Sequence, residues 1–553
     1  MKSTQKPFIL LLLVIAFFLS YSIANAQTAL WIRQAGTSGI TNGVSSDASF
    51  NCYATGEVGN PGLFDSLTVS SHFADVFIAK YSNTGEVLWA KTAGGELIDQ
   101  GYEIASDASG NSYVVGAIQT NSVFPTVTFD TVSLTGNGSF DWFIAKYDAS
   151  GNLLWVKNEG STLGDFAFGV ALDPSGSVLV CGEFSSTMTV NGTTLLSAGG
   201  VDVFIARYSP DGTLIWIKQA GGTGSDEAQT ITTDAAGNIA IAGNFQNTAT
   251  FGSNSVTAAG LGDAFIAKYD SSGNNIWVRA GGGNVSFVSD RAYSISADGS
   301  DNFYITGEFS GEGTFDGFSV SNTGTSGTDI FIAKYNSDGE IQWLHHAGGL
   351  SDDKGYAIDA DAAGNTFVTG FADSGPNVAF DSISLPPRGN EYVFLAKFNT
   401  AGDALYVKQY AAGLGMDIHV LNNGCLFFGG GASPDAGNEF DSIDLVYVDR
   451  SAFMGEFCES VATASEPIVN DAVESFTFPN PSHGKFILVL NGFSKDATLQ
   501  IVDVSGRILY SAIMESASYA SSQQIQLPQS IKGFILLKIS DADHSIVKSL
   551  SVE

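Results

Sequence analysis

Apolar residues in this chain fall in short runs of strand length, each cut by a turn of Gly, Asp, Asn or Ser, and the runs return about every sixty residues. The phrase DVFIAKYSNTGEVLW (75–89) returns as DWFIAKYDASGNLLW (141–155), DVFIARYSPDGTLIW (202–216), DAFIAKYDSSGNNIW (263–277), DIFIAKYNSDGEIQW (329–343) and YVFLAKFNTAGDALY (392–406). Each copy predicts a strand, a tight turn and a second strand. Gly85, Gly151, Gly212, Gly273, Gly339 and Gly402 stand where a type I turn needs a residue at positive φ. A second phrase follows each hairpin: GYEIASDASGNSYVVG (101–116), FGVALDPSGSVLVCG (168–182), QTITTDAAGNIAIAG (229–243), YSISADGSDNFYITG (293–307) and YAIDADAAGNTFVTG (356–370). Worn copies lie at 43–56 and 417–430. It predicts two more strands around an Asp/Gly/Asn turn, so each repeat supplies four. A third signature, FDSLTV (64–69), FDTVSL (129–134), FDGFSV (315–320), FDSISL (380–385) and FDSIDL (440–445), with variants at 190–195 and 251–256, reads as a small excursion of the kind that carries recognition.

Four strands per repeat predict an all-β fold, a β-propeller whose four-stranded blades stack radially. Stacking covers both faces of a blade, which explains why runs such as VFIAKY and NLLWVK alternate poorly. Trp31, Trp89, Trp155, Trp216, Trp277, Trp343 and, in the last place, Tyr406 close the outer strand. Phe77, Phe143, Phe204, Phe265, Phe331, Phe394 and Phe453 open the strand before it, and these rings should form the core between blades. LWIRQAG (30–36) lacks its preceding strand and AFMGEF (452–457) lacks its following one. Each is therefore the other's partner, and the expectation is a seven-bladed propeller over 27–459, closed by pairing its N- and C-terminal strands so that no edge stays open. The D-x-F-I-A-K-Y…G…W and D-x-x-G-N-x-Y-V-T-G patterns resemble the SBBP-type β-propeller repeat of exported bacterial proteins, which implies the propeller and no settled activity.

The ends set the address. Lys2 and Lys6, an apolar run from Phe8 to Leu19 and the small-residue ending Ala24-Asn25-Ala26 predict a signal peptide over 1–26, cut before Gln27. No later apolar stretch is long enough for a membrane helix. The formal charge of -33 excludes nucleic acid and anionic membrane surfaces as partners. Cys52, Cys181, Cys425 and Cys458 are too few for a disulfide framework. Cys52 and Cys425 share a repeat position, and Cys458 is the other candidate partner for Cys425; free or partly paired thiols are expected.

Residues 460–475 read as a Ser/Ala/Pro/acid linker, and 476–553 as a small Ig-like β-sandwich. Pro479, Asn480, Pro481 and Gly484, then Asp503 and Gly506 in VDVSGRIL, then Gly533 opening GFILLKIS, resemble the type A C-terminal sorting domain read by the type IX secretion system of Bacteroidota. The resemblance implies the type IX machinery as a partner, passage through the outer membrane, and an extracellular or outer-surface address.

Chemistry is sparse. There is no G-x-S-x-G elbow and no zinc spacing, and His345-His346 reads as partly buried strand histidines. Lys80, Lys146, Arg207, Lys268, Lys334 and Lys397 form a row broken by Glu456, expected to lie over aromatic neighbours and pair with acids. No catalytic, cofactor or metal residue is nominated. Calcium at acidic turns such as DADAAGN (359–365) or SDD (351–353) is the weak alternative, since neither has the EF-hand spacing. The expected function is a binding or scaffold protein with a glycan or protein ligand. The alternatives are a propeller enzyme acting on extracellular polysaccharide and a structural adhesion component of a surface layer.

Overall fold

The computed structural model describes residues 27–459 except 65–66, 286–287, 325–326, 374–377, 388–390, 434–438, 441–442 and 445–450. Beyond these it describes 474–478, 485–491, 497–503, 507–514, 521–526, 533–540 and 545–552. The Ala24 and Ala26 cleavage signal and most of the linker lie outside the described residues. Strands and turns make up the described chain, in two compact bodies, one ending at Val461 and one starting at Ala462.

In the first body, Ile40–Ser46, Cys52–Val58, Asp75–Tyr81 and Val87–Gly94 pair antiparallel in chain order. The same four-strand order recurs in groups whose first strands are Asp99–Ser106, Phe166–Leu172, Glu227–Thr233, Arg291–Ala297 and Asp353–Ala360. A further group pairs 413–420, Cys425–Ala432, Ser451–Glu459 and then Gln27–Thr37 from the start of the chain, with Trp31 opposite Glu456 and Gln34 opposite Phe453. First strands touch in chain order from one group to the next, and the last touches Ile40–Ser46. The third strands are the core: Phe77, Phe143, Phe204, Phe265, Phe331, Phe394 and Phe453 are at most 1% exposed.

The third signature has a packing role that its polar turn did not announce. Phe64, Phe129, Phe251, Phe315, Phe380 and Phe440 turn inward onto the third-strand Phe of their own group, with centroids 5.2, 4.9, 4.7, 4.8, 4.9 and 4.7 Å apart. The hairpin also reaches the preceding group, as where Thr128 pairs with Gly94 and Phe315 with Gly281. It is a strap between groups.

A second stitch uses the outer-strand tryptophans. Trp89, Trp155, Trp216, Trp277 and Trp343 each donate their indole N–H to a turn carbonyl of the next group, on Ala149, Pro210, Ser271, Ser337 and Thr400, over 3.1 to 3.3 Å. The turn glycine lies flat on the same ring: a Cβ on Gly151 would meet Trp89 at 2.8 Å, and one on Gly339 would meet Trp277 at 2.7 Å. Trp31 differs, donating to Glu456 Oε2 at 2.9 Å, while Arg33 Nε reaches the Gly85 carbonyl at 2.8 Å. The cationic row packs as a local device. Lys80, Lys146, Lys268, Lys334 and Lys397 lie over rings of Tyr53, Tyr113, Phe303, Tyr304 and Phe367, and Lys80 and Lys268 pair with Asp47 and Asp234 at 3.2 and 3.0 Å.

Cys425 and Cys458 stand opposite each other on neighbouring strands and form a disulfide, while Cys52 and Cys181 are buried free thiols. Cys52 pairs with Tyr81 within its own sheet and shares a core cluster with Cys425, whose sulfur is taken by Cys458.

The second body has two antiparallel sheets. One is ordered Glu474–Phe478, Lys485–Asn491, Ser521–Gln526; the other Ile508–Met514, Ala497–Asp503, Gly533–Ser540, Ser545–Val552.

Candidate functional site on the first strands

Every first strand carries a β-bulge at one place, where its register against the second strand slips by a residue. The extra residues are Asn42, Tyr102, Phe168, Gln229, Tyr293, Tyr356 and Met416, all half-buried. A bulge re-aims its side chain out of the ladder, and here the scaffold stays constant while the re-aimed residue varies, being Tyr in three of the seven groups. The rings form two arcs. Tyr102 lies 5.2 Å from Phe168 and 6.5 Å from Phe166, which is 5.1 Å from Phe140. Tyr293 lies 5.1 Å from Tyr356, which is 5.8 Å from Phe371.

Polar groups flank both arcs. Gln100 bridges Glu57 at 2.6 Å and the Tyr102 hydroxyl at 2.8 Å. Tyr293 donates to Glu308 at 2.5 Å, and Lys354 pairs with the same carboxylate at 3.0 Å. Between the arcs Glu227 accepts from Gln229 at 3.0 Å and faces Arg291 at 3.5 Å. Glu183 has no such partner among the described residues. Burial, then Glu227 and Asp165, push its carboxyl up to about 8, with Arg291 pulling it back.

The folded state therefore holds a proton on Glu183 that the unfolded state, at 4.5, releases, and this contribution to stability falls as pH rises from 4.5 through 8. Glu183→Gln should unfold like the parent at pH 4 and be more stable than it at pH 9, by about 1–2 kcal/mol after discounting for partial exposure. Urea unfolding at the two pH values checks this; an equal difference at both would remove the proton from the account.

A second cluster gathers residues from five groups. Asp417 accepts the Val44 N–H at 2.7 Å, and Asp359 accepts from Val420 N and Ser296 Oγ at 2.7 and 2.5 Å. His419 Nε2 meets Ser46 Oγ at 3.0 Å. Glu103 lies over Gly43, where a Cβ would sit 2.8 Å from its Oε1. Burial pushes Asp417 up to about 7, raises Glu103 well above the ordinary range and lowers His419.

Of these residues only Asp359, in the DADAAGN turn, was singled out from sequence. The available signal was a column that varies while its neighbours repeat. The nominated Trp and Phe rows are scaffold. His345 is half-buried and 3.2 Å from Asp381, and His346 is exposed rather than partly buried. Among the described residues, Cys425, Glu456 and Cys458 are the group whose ligand atoms come within 4.8 Å of one another, and the disulfide occupies both sulfurs. In the second body, Pro479, Asn480, Pro481, Gly484 and Gly506 lie outside the described residues. Asp503 and Gly533 end and open adjacent strands, Asp503 pairing with Ile535.

Residues 477–553 match the model of the secretion system C-terminal sorting domain. This segment is a type IX secretion sorting domain. The sorting domain implies handling by the type IX machinery and delivery to the cell surface or extracellular space. No helix among the described residues is long and apolar enough to cross a membrane. Ahead of the sorting domain the described chain is all-β. Over 417 residues it is 26% identical to the uncharacterized WD repeat-containing protein L264 of Acanthamoeba polyphaga mimivirus, covering 60% of this chain and 30% of that protein. Over 139 residues it is 26% identical to the regulatory protein FlaEY of Caulobacter vibrioides, covering 25% of this chain and 14% of that one. Among solved structures, the Dos1 propeller aligns with 78% of this chain and 95% of its own at 9% identity and a TM-score of 0.38. PorZ, described as an essential surface component of the type-IX secretion system of Porphyromonas gingivalis, aligns with 94% and 100% at 11% identity and a TM-score of 0.21.

Proposed function

We propose that residues 27–459 are a seven-bladed β-propeller of SBBP-type repeats, closed by pairing Gln27–Thr37 with Ser451–Glu459 and followed by an Ig-like sorting sandwich. In this reading the protein is a surface-held or released binding protein that takes an extracellular glycan on its axial first strands. The circuit of first-strand contacts and the β-pairing of the chain's start with 451–459 support the ring. One observation carries the binding reading: the bulge column places Tyr102 and Phe168 in one arc and Tyr293 and Tyr356 in another, each beside amides and carboxylates. Aromatic faces with a few fixed polar groups suit the alternating CH and hydroxyl surfaces of a sugar chain.

Hydrolysis is the second reading, favoured by the raised carboxyl of Glu183, because a glycosidase needs one carboxyl kept protonated opposite another. Against it, the polar residues are spread over Glu57, Gln100, Glu183, Glu227, Arg291, Glu308 and Lys354 rather than converging from one or two groups.

Thermal unfolding of the full chain against a panel of bacterial and algal polysaccharides tests the reading, since a ligand of the folded state raises its midpoint. We expect one glycan to raise it, and Tyr293→Ala with Tyr356→Ala to weaken that glycan about tenfold or more. A flat panel sinks the glycan reading and leaves a protein ligand or a surface-layer role. Shortened product from the bound glycan would establish hydrolysis.

A further inference from the structure

Five boundaries between consecutive groups repeat a device that the binding reading does not use. Where the third strand of one group begins, an aspartate faces another at the start of the next group's first strand: Asp75 with Asp99, Asp141 with Asp165, Asp202 with Asp226, Asp263 with Asp290, and Asp329 with Asp353. A backbone hydrogen bond of 2.7 to 3.0 Å ties each pair of strand starts, as from Asp99 N to the Ala74 carbonyl. All ten side chains belong to residues at most 3% exposed.

The second aspartate of each pair spends both oxygens on backbone N–H groups, as Asp99 does on Gly95 and Gln119 at 2.7 and 2.8 Å. The first spends only Oδ2, as Asp75 does on His72 at 3.1 Å. Its other oxygen is buried without a hydrogen-bond partner in all five cases: Asp75, Asp141, Asp202, Asp263 and Asp329 Oδ1. A glycine backs directly onto the two carboxylates, where no side chain would fit. A Cβ on Gly94 would lie 2.6 Å from Asp75 Oδ1 and 2.8 Å from Asp99 Oδ2; on Gly221, 2.8 and 2.9 Å from Asp202 Oδ1 and Asp226 Oδ2; on Gly282, 2.9 and 2.6 Å from Asp263 Oδ1 and Asp290 Oδ2. Five orphaned carboxylate oxygens, three of them converging with the neighbouring carboxylate on one glycine and the other two, of Asp141 and Asp329, lying against Gly160 and Gly348, are costly unless something positive meets them.

The repeats supply an internal control. At the two remaining boundaries the first aspartate is replaced by Tyr392 or Ser451, and the second is then Gly413 or Gly39. The two acids are present together or absent together.

We propose that these five pairs are divalent-cation sites, with calcium as the ion, one at each of five boundaries. Carboxylate oxygens are hard donors that select calcium or magnesium over transition metals, and the looser shell of calcium tolerates two carboxylates completed by carbonyls and water. Burial raises both carboxyls of each pair, and in each pair one carboxylate further raises the other, as Asp75 does Asp99 and Asp329 does Asp353. Beside the fourth pair a depression of about 440 Å³, lined by Asp263, Gly282, Asn284, Glu312 and Asp316, gives solvent a way in. With so few charges per site the affinity belongs to the range of extracellular modules, a Kd of about 10⁻⁴–10⁻³ M.

The test is a calcium count on the chelator-stripped full chain, by equilibrium dialysis and elemental analysis, with thermal unfolding alongside. We expect calcium to raise the unfolding midpoint and to saturate near five ions per chain, one for each Asp pair. Asp75→Asn should lower the count by one. Gly94→Ala, which fills the space while leaving both carboxylates, should lower it by one as well, so a misfolded Asn variant does not decide the matter. A count of zero with an unmoved midpoint overturns the proposal and assigns the pairs to a shared proton. A count unchanged in both variants overturns it by placing the ions elsewhere.

Discussion

A chain lacking Gln27–Thr37 will fail to form a cooperatively folded first body. That strand pairs with Ser451–Glu459 from Gln27 opposite Glu459 to Thr37 opposite Ser451, and its loss opens a full edge next to a buried sheet. Trp31, Ile32 and Ala35 are 6%, 2% and 0% exposed, and Ile32 shares a core with Phe428, Phe453 and Phe457. Burial of the Trp and Ile side chains alone contributes about 3–6 kcal/mol, before the indole bond to Glu456 and the ladder itself. A total stability of about 5–15 kcal/mol does not survive that loss. Near-ultraviolet circular dichroism and a thermal melt measure it: the truncated chain should lose its sharp transition, and a synthetic peptide of residues 27–37 should restore it. A truncated chain that melts like the parent would mean that the other groups hold together without this strand.

The second large effect is expected at the turn glycines. Gly339→Ala should destabilise by about 2–5 kcal/mol, for two separable reasons. Its φ of 77° costs an L-residue about 1–2 kcal/mol. Its Cβ would also fall 2.7 Å from Trp277, displacing a ring held by its bond to Ser337, and such overpacking costs about 1–3 kcal/mol. Gly317→Ala is the control, because Gly317 has a φ of 88° and nothing within 4 Å of a Cβ. Urea midpoints of the two variants give the packing part by difference. If they match, the ring contact contributes nothing and the glycine serves the turn alone.

Those two reasons mark what could be read in advance. Positive φ at Gly339 followed from the turn type, because turn chemistry is local. The tryptophan beneath it comes from the previous repeat, and spacing along one repeat does not report what the neighbour presents. The strand phrases were legible because each is a local alternation of apolar run and turn. The FDSLTV excursions read as recognition loops because their turns are polar, yet Phe129 and Phe315 are anchors. The cysteine partners follow antiparallel register, which sets Cys425 opposite Cys458, and repeat position was a weaker guide. The bulge column was hidden because it varies along the repeats: Tyr stands at three of its seven places, and Asn, Phe, Gln and Met at the other four. The paired aspartates were visible as letters, but their meeting across a boundary needed three dimensions.

The indole of Trp31 and the carboxylate of Glu456 are 425 positions apart in the chain. Loop-closure entropy grows only slowly with length, so joining them adds little to the equilibrium cost, but the search for that contact comes late. During synthesis and export, the Trp31 strand must remain unpaired until nearly the whole first body has emerged. The chain thus carries its own delay: it cannot finish folding early, which suits a polypeptide that has to cross an envelope before it is used, and it leaves that strand exposed to chaperones and proteases for the whole interval.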